Sequence, residues 1–499
     1  MIPEKENSHK TILKATGIFG FAQVMKMIVG IVGSKFVAIF LGPIGIGTLG
    51  LLNNTISIIG SLTSFGLGIT SVREVTLANS EKDENKFSER ITVLQKLAII
   101  IGFFGAIITL VFSKLLSIWT FGTPDYYYWF VLLSVNFIIS SLSTVRFSIM
   151  QGLRMVKSIA FSNVISSIFI TVFSVPIYYF FKFNGIVAVI LLSSLIGLLV
   201  NYFFTRKVRI LPSELSFLES IKNGIPLLKM GFLLSLNIIF GQICSYIIKI
   251  YLNGNGSSVE ILGLFEVSSV ILISYVGLVF SAMGTDFYPR LTSIQNNNLK
   301  VKELVNDQIE IGLLLITPAI TFLYLVAPFL IQLLYTKAFL GVVLILKAAL
   351  FALIIKAIIW PLGFIILAKG ETKLYFKQEI ISDLFLLIST IVLYHFFGLI
   401  GIGIASFVQF SGYAFYILPV LKRKFEFNIR KETYKIIWIS IAIGLLNCLM
   451  VFFLEYPFAH YPIVLIFLFS VVYSYKELDK RINIKSYYLK IRNKFKRHE

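Results

Sequence analysis

The chain has 499 residues, of which 57% are hydrophobic and only 14% charged, against about 25% charged in a typical soluble domain. That composition excludes a water-soluble globular protein and leaves a polytopic membrane protein. The net charge of +20 would suit a nucleic-acid binder, but most basic residues sit in short gaps between apolar runs, where they mark cytoplasmic loops, so nucleic acid is not expected as a partner.

The N-terminus, MIPEKENSHK, mixes acids with lysines, and the long apolar run after it lacks a small-residue cleavage site. No removable signal peptide is expected. A helix needs roughly 20 apolar residues to cross a bilayer. That rule gives about fourteen spans, at 12–40, 44–72, 91–118, 128–152, 159–181, 184–204, 224–252, 261–288, 308–334, 342–368, 375–396, 399–420, 434–454 and 461–475. The expected fold class is an all-α polytopic membrane protein. When the gaps are joined alternately, nearly all loop Lys and Arg fall in the class that includes both termini, which places both termini in the cytoplasm. The opposite loops are short, for example Gly42-Pro43, 119–127 and 182–184. No loop approaches the roughly 50 residues of an independent domain, so the chain is not expected to be an enzyme.

Spans one and two form a hairpin about Leu41-Gly42-Pro43. Lys26 lies near the middle of span one, where a lysine costs about 2.5 to 3.5 kcal/mol on insertion scales. It shares a helix face with Gln23, Gly30 and Gly33 and so is directed at a neighbouring helix or at water. Lys35, near the outer end, can snorkel to the interface. On span two, Asn53, Ser57, Gly60, Ser64, Gly68 and Ser71 recur every three or four residues and fall on one face, with Asn54 beside them and Arg73 closing the pattern. Such a stripe faces protein or water, because hydrocarbon would leave each polar group unpaired. The hairpin is therefore expected to line a cationic, wet cavity. Span four adds Asn136, Ser140, Ser143 and Gln151, with Arg146 at the margin of that face. It is either a second wall of the same cavity or a seam of small residues for close packing.

In the second half, Lys249 shares a face with Gln242, Ser245 and Tyr246; Glu266 lies on span eight and Lys356 near the middle of span ten. Glu379 and Asp383 sit one turn apart on span eleven. Two readings stand for these groups: Lys356 and Asp383 form a buried ion pair, or Asp383 or Glu266 titrates and couples transport to H+ or Na+. Cys244 and Cys448 lie inside apolar runs, and His9, His395, His460 and His498 are scattered. Neither a metal nor any other cofactor is expected.

The chain also repeats. Gln151-Gly152-Leu153-Arg154 with Lys157, and Lys369-Gly370-Glu371 with Lys373, each open a pair of spans joined by a short Phe/Gly turn. Leu49-Gly50-Leu51 and Leu262-Gly263-Leu264 begin spans two and eight. An offset of six spans preserves orientation and gives parallel repeats. The expected organisation is an N-lobe over 1–210, a C-lobe over 211–425, two further spans over 426–475 and a basic cytoplasmic tail over 476–499. The two pseudo-symmetric six-helix lobes would surround a central cavity, and the tail would lie on the anionic inner leaflet.

Lys35-Phe-Val-Ala38, Leu41-Gly42-Pro43-x-Gly45-x-Gly47, Gly66-Leu-Gly68 and Arg73 together resemble the N-terminal signature of the O-antigen and polysaccharide flippases called Wzx, in the MOP exporter superfamily. Lys14-Ala-Thr16 and Gly20-x-x-Gln23-Val24 fit it as well. The resemblance covers 14–75 in sequence and rests on topology elsewhere. It implies transport of undecaprenyl-pyrophosphate-linked oligosaccharide from the inner to the outer leaflet of the bacterial inner membrane. The implied partners are membrane lipids and a polysaccharide polymerase or ligase machinery. Basic residues at Lys35 and Arg73 match the family pattern, whereas a neutral residue would be expected at Lys26. On this reading Lys26, Lys35, Arg73 and Arg146 attract the pyrophosphate, Lys356 adds to the cationic cavity, and Asn53, Asn54, Ser57 and Ser64 contact sugar. One rival is a multidrug or cation exporter of the same superfamily, whose cavity would be acidic and aromatic. Another is a membrane glycan polymerase or ligase, which would need a sizeable extracytoplasmic loop.

Overall fold

The computed structural model describes residues 3–81, 83–211, 216–254, 259–454 and 458–482, and every regular element in them is helical. Residues 483–499 of the expected tail, and the side chains of 3–21 including Lys14, lie outside the described part. Among the described residues, twelve helical stretches are long and apolar enough to cross a membrane. Two of them, Ala22–Thr63 with 42 residues and Val156–Thr205 with 50, would each be roughly twice the hydrocarbon thickness if straight. Each is broken near its middle, at Gly42 (φ 63°, ψ −168°) and at Lys182 (φ 46°). Two crossings in each bring the spans among the described residues to about the fourteen expected. Large apolar side chains such as Phe180, Phe415 and Phe453 are mostly exposed, as suits a surface solvated by lipid. The protein is a multi-pass membrane protein.

The chain divides into two compact units, Met1–Gly263 with Leu334–Thr336, and Leu264–Leu333 with Lys337–Glu499. The first contains α1 (Pro3–Ser64), α2 (Leu67–Glu81), α3 (Glu84–Val111), α4 (Ser113–Phe121), α5 (Tyr127–Gly152), α6 (Val156–Phe181), α7 (Ile186–Thr205) and α8 (Phe217–Gly254). α8 packs on α1, α2 and α3. Missing side chains make that approach close. A Cβ on Gly66 would stand 2.2 Å from the Gly231 carbonyl, and one on Gly231 2.3 Å from the Phe65 carbonyl. Gly47 and Gly263 are engaged in the same way, with the carbonyls of Val259 and Pro43 at 2.3 and 2.0 Å. In a bilayer, small residues of this kind let helix backbones meet.

The second unit holds α10 (Gly277–Ser293), α11 (Asn298–Leu334), α12 (Val342–Ala368), α13 (Thr372–Phe397), α14 (Leu399–Phe425), α15 (Lys431–Phe453) and α16 (His460–Ile482); α9 (Val259–Ser269) straddles the boundary. α12 is apolar nearly all round and largely buried, with α14 and α15 packed on it. Glu310 on α11 is buried and accepts from Thr433 Oγ1 at 2.5 Å, Arg430 Nη2 at 3.1 Å and Arg481 Nε at 2.7 Å. That cluster ties the start of α15 and the end of α16 to α11.

The repeat appears in the backbone. Leu153 N donates to Ile149 and Met155 N to Met150 around Arg154 (φ 53°), and Lys369 N donates to Ile365 and Glu371 N to Ile366 around Gly370 (φ 72°). Arg154 and Gly370 are 216 residues apart, as are Lys182 and Gly398 (φ 57°). This register pairs Lys157 with Lys373. It sets Gly370 against Arg154 rather than Gly152, and Gly263 against Gly47 rather than Gly50.

Candidate functional site

Of the polar stripe, Ser57, Gly60 and Ser64 on α1 and Gly68 on α2 line a cavity of about 360 Å³, whose walls come from α1, α2, α3, α5 and α8, while Asn53 and Ser71 do not. Ser57, Ser61 and Ser64 face it from α1, Ser140 and Thr144 from α5, and Ser235 from α8. Several of these hydroxyls donate to a carbonyl on the preceding turn: Ser64 to Ser61 at 3.4 Å, Ser140 to Phe137 at 3.3 Å and Thr144 to Ser140 at 2.8 Å. Hydroxyls bound in that way keep their lone pairs available. Gly60 and Gly68 leave room, since a Cβ on Gly68 would meet Thr144 Cγ2 at 3.2 Å. Among the described residues no charged side chain lines this cavity, and its walls suit a neutral polyol.

The cations expected around it are not gathered in it. Lys26 is exposed and lines neither this cavity nor the one described below. Lys35 donates to the Tyr335 carbonyl. Arg73 is half exposed, with Nη1 3.4 Å from Met230 Sδ and 3.6 Å from Glu74. The Arg146 guanidinium lies over the Tyr202 ring of α7 at 5.0 Å, where an aromatic face stabilises it. Among the amides, Asn53 is exposed and Asn54 donates to the Gln242 carbonyl of α8 at 3.4 Å. Lys249, buried on α8, donates to the Gly50 carbonyl at 3.5 Å.

Span four serves both of the roles proposed for it, on different residues. Ser140 and Thr144 line the cavity. Asn136 accepts from Ser194 at 2.5 Å, and Ser143 accepts from Asn201 Nδ2 at 3.0 Å, while Asn201 Oδ1 accepts from Ser162 at 2.6 Å. Those residues bind α5 and α6 to α7.

A second cavity, of about 280 Å³, lies among α12, α13 and α14 of the second unit. Lys356 lines it, with Nζ 5.3 Å from the Phe280 ring centre and 5.6 Å from that of Phe410. Trp360, Phe364 and Tyr413 supply further aromatic walls, and Gln378, Glu379 and Ser382 a polar side. The Tyr413 hydroxyl donates to Gln378 Oε1 at 2.9 Å. The Lys356–Asp383 ion pair is not formed: Lys356 makes no salt bridge with a described residue and is held between rings instead. Asp383, half-buried, does not line the cavity, nor does Glu266, half-buried on α9. Among the described residues no group of His, Cys, Asp and Glu could hold a metal ion.

Residues 36–344 match the model of a family described as polysaccharide biosynthesis protein. The chain belongs to this family. Its fold is that of transporters of the MOP superfamily. It is similar to the lipid II flippase MurJ in an inward closed conformation, with a TM-score of 0.70 at 15% identity, covering 94% of this chain and 99% of that one. A multidrug resistance MATE family transporter of the MOP superfamily is similar as well. Its inward-facing form gives a TM-score of 0.63 at 15% identity over 82% of this chain and 99% of that one. Its outward-facing form gives 0.57 at 18% identity over 83% and 96%. No curated protein matches the sequence significantly.

Several cavity residues of this family member escaped the sequence reading. Ser61, Thr144 and Ser235 belong to the first cavity, and Gln378, Tyr375 and Tyr413 to the second. Ser61 lies one turn before Ser64 and could have been found from helical spacing. Tyr413 carries no pattern until α13 and α14 are known to be neighbours.

Proposed function

We propose that the protein is a flippase for undecaprenyl-pyrophosphate-linked oligosaccharide, an O-antigen or related polysaccharide repeat unit, in the bacterial inner membrane. It works by alternating access with both termini cytoplasmic, and it is not an enzyme. The observation that carries the reading is the hydroxyl-lined cavity of the first unit, whose described walls hold no charged side chain, in a chain of the polysaccharide biosynthesis family. Serine and threonine hydroxyls exchange hydrogen bonds with sugar hydroxyls without the desolvation cost of burying charge. Lys26 and Arg73, both exposed, attract the pyrophosphate, while Lys35 and Arg146 add positive potential. The long lipid tail stays in the bilayer. Asp383 or Glu266 couples the cycle to H+ or Na+, and the polymerase or ligase machinery takes up the delivered glycan.

The test is the double variant Lys35→Ala with Arg73→Ala, scored for surface glycan in cells where insertion of the protein is verified by blotting. Glycan should be lost. Normal glycan would remove the cationic mechanism. A drug or cation exporter is the second reading, favoured by the aromatic second cavity with Glu379; resistance to lipophilic cations conferred by the wild-type chain, without any effect on glycan, would select it.

A further inference from the structure

The second cavity differs from the first in two features that set its chemistry. Gln378 is fully buried, and its Oε1 accepts the Tyr413 hydroxyl. That bond fixes the amide. Its Nε2 leans on the Glu379 carboxylate of the cavity wall but makes no well-formed hydrogen bond with a described residue. A buried amide donor whose pairing is this incomplete is rare in native structures. Gly363 keeps this one accessible, since a Cβ there would stand 3.6 Å from Nε2 and 3.2 Å from the Tyr413 hydroxyl.

The second feature is the placement of Lys356. Its ammonium already occupies positions over the Phe280 and Phe410 rings. A lipophilic cation, which an aromatic cavity with a carboxylate would otherwise suit, would have to share those rings with a fixed positive charge. An anion such as pyrophosphate would meet one ammonium, of Lys356, but also the Glu379 carboxylate and apolar walls, which leave it no net positive charge among the described lining residues. The chemistry left is a neutral ligand with one apolar face and hydroxyls at its rim. A pyranose ring has that form: its C–H face lies on an aromatic wall, and its hydroxyls accept from Gln378 Nε2 and Lys356 and donate to Glu379 and Ser382. At about 280 Å³, the cavity falls just below the usual range for drug-sized ligands. It has room for one ring and not for a chain.

We propose that this cavity is a neutral-pyranose subsite that holds one sugar ring of the cargo by stacking on aromatic side chains and by hydrogen bonds to Gln378 and Glu379. The inference rests on the flippase reading and names a part of its substrate. The internal repeat gives it a rationale. In the register of 216 residues, Lys356 and Trp360 of the second cavity stand where Ser140 and Thr144 stand in the first. The first cavity therefore offers hydroxyls alone, and the second adds an aromatic platform.

The test uses the full chain in lipid nanodiscs and saturation-transfer difference NMR. The probes are neutral methyl hexopyranosides, methyl glucuronate, inorganic pyrophosphate and tetraphenylphosphonium. A neutral methyl pyranoside should receive transfer through its ring C–H protons, and its affinity should fall about tenfold in Gln378→Leu and by at least as much in Trp360→Leu. Trp360→Phe, which keeps an aromatic wall, should retain most of the binding. Ser162→Ala, outside the cavity, should leave it unchanged. Each variant is first shown to elute as a monodisperse species. Absence of pyranoside binding, or binding that Gln378→Leu does not weaken, would overturn the subsite. Tetraphenylphosphonium binding that Glu379→Gln abolishes would overturn it in favour of a cation site. Surface glycan measured in parallel separates the two proposals. If the wild-type chain supports glycan export while pyranoside binding ignores Gln378, the subsite falls alone. If the pyranoside binds through Gln378 but the chain never supports export, the flippase reading falls alone.

Discussion

In the first unit the cavity is walled by hydroxyls that hydrogen-bond to their own helices, whereas in the second it is walled by aromatic rings, an amide and two side chains of opposite charge. The helices that carry these groups follow one register: α5 and α12 each end in a left-handed turn residue, Arg154 and Gly370. One scaffold thus presents two chemistries, and the difference is made by a few residues facing inward. A second difference lies in the backbone. The first cavity lies beside an approach of the turn between α1 and α2 to α8, at Gly66 and Gly231, so near that neither position has space for a methyl group. The wall of the second is set by side chains such as Tyr413 and Gln378, which are locked to each other.

The largest effect should come from breaking the backbone approach. Gly66→Ala places a Cβ 2.2 Å from the Gly231 carbonyl at a residue with φ of 67°, and so combines a collision with left-handed strain. The expected loss is at least about 3 kcal/mol, read as a fall in the detergent-solubilised unfolding temperature with surface glycan lost as well. An unfolding temperature close to that of the wild type would show that α8 can withdraw without penalty. The first cavity would then not depend on that contact.

A smaller effect separates residues that line a cavity from residues that pack. Ser57→Leu with Ser64→Leu fills the first cavity with apolar volume while leaving the α5, α6 and α7 network intact. Glycan export should fall roughly tenfold or more with little change in unfolding temperature. Asn201→Ala should do the reverse, because it removes the two side-chain bonds to Ser162 and Ser143. It should cost about 1 to 2 kcal/mol and leave export near normal once the protein is expressed. If both variants lowered export and stability together, the division between lining and packing residues would not hold.

The sequence made this division only in part legible. The stripe on α1 could be read because a polar face has no stable place in hydrocarbon, and Ser57 and Ser64 were found that way. Asn136 and Ser143 lie on the same face of α5 as Ser140, yet they bond to α7. Helical periodicity gives the direction of a side chain but not which neighbour stands there. The repeat was visible at Gln151-Gly152 and Lys369-Gly370, but glycine identity misled the register, since a left-handed turn position is held by Arg154 in one copy and Gly370 in the other. The place of α8 could not be read from hydropathy. It follows from backbone contacts at glycines, which leave no trace in an apolar pattern. Gln378 was hidden for a similar reason, because its partner Tyr413 lies 35 residues away on another helix.

The smallest predicted effect decides what Arg146 does. An arginine inside a span rarely faces lipid, and the sequence therefore suggested a place in the cationic cavity. In the structure its guanidinium lies over the Tyr202 ring at 5.0 Å, and it does not line the first cavity. If its main role is that contact, Arg146→Gln should cost under about 1 kcal/mol, and Tyr202→Leu should cost a similar amount. The double variant should then be no worse than either single one, since both remove the same interaction. Export should stay within about twofold of normal in all three. If instead Arg146 meets the pyrophosphate during the cycle, export should collapse in Arg146→Gln but survive in Tyr202→Leu. That pattern would change Arg146 from a source of positive potential into a direct contact of the pyrophosphate, with the ring of Tyr202 as the place where the charge rests between cycles.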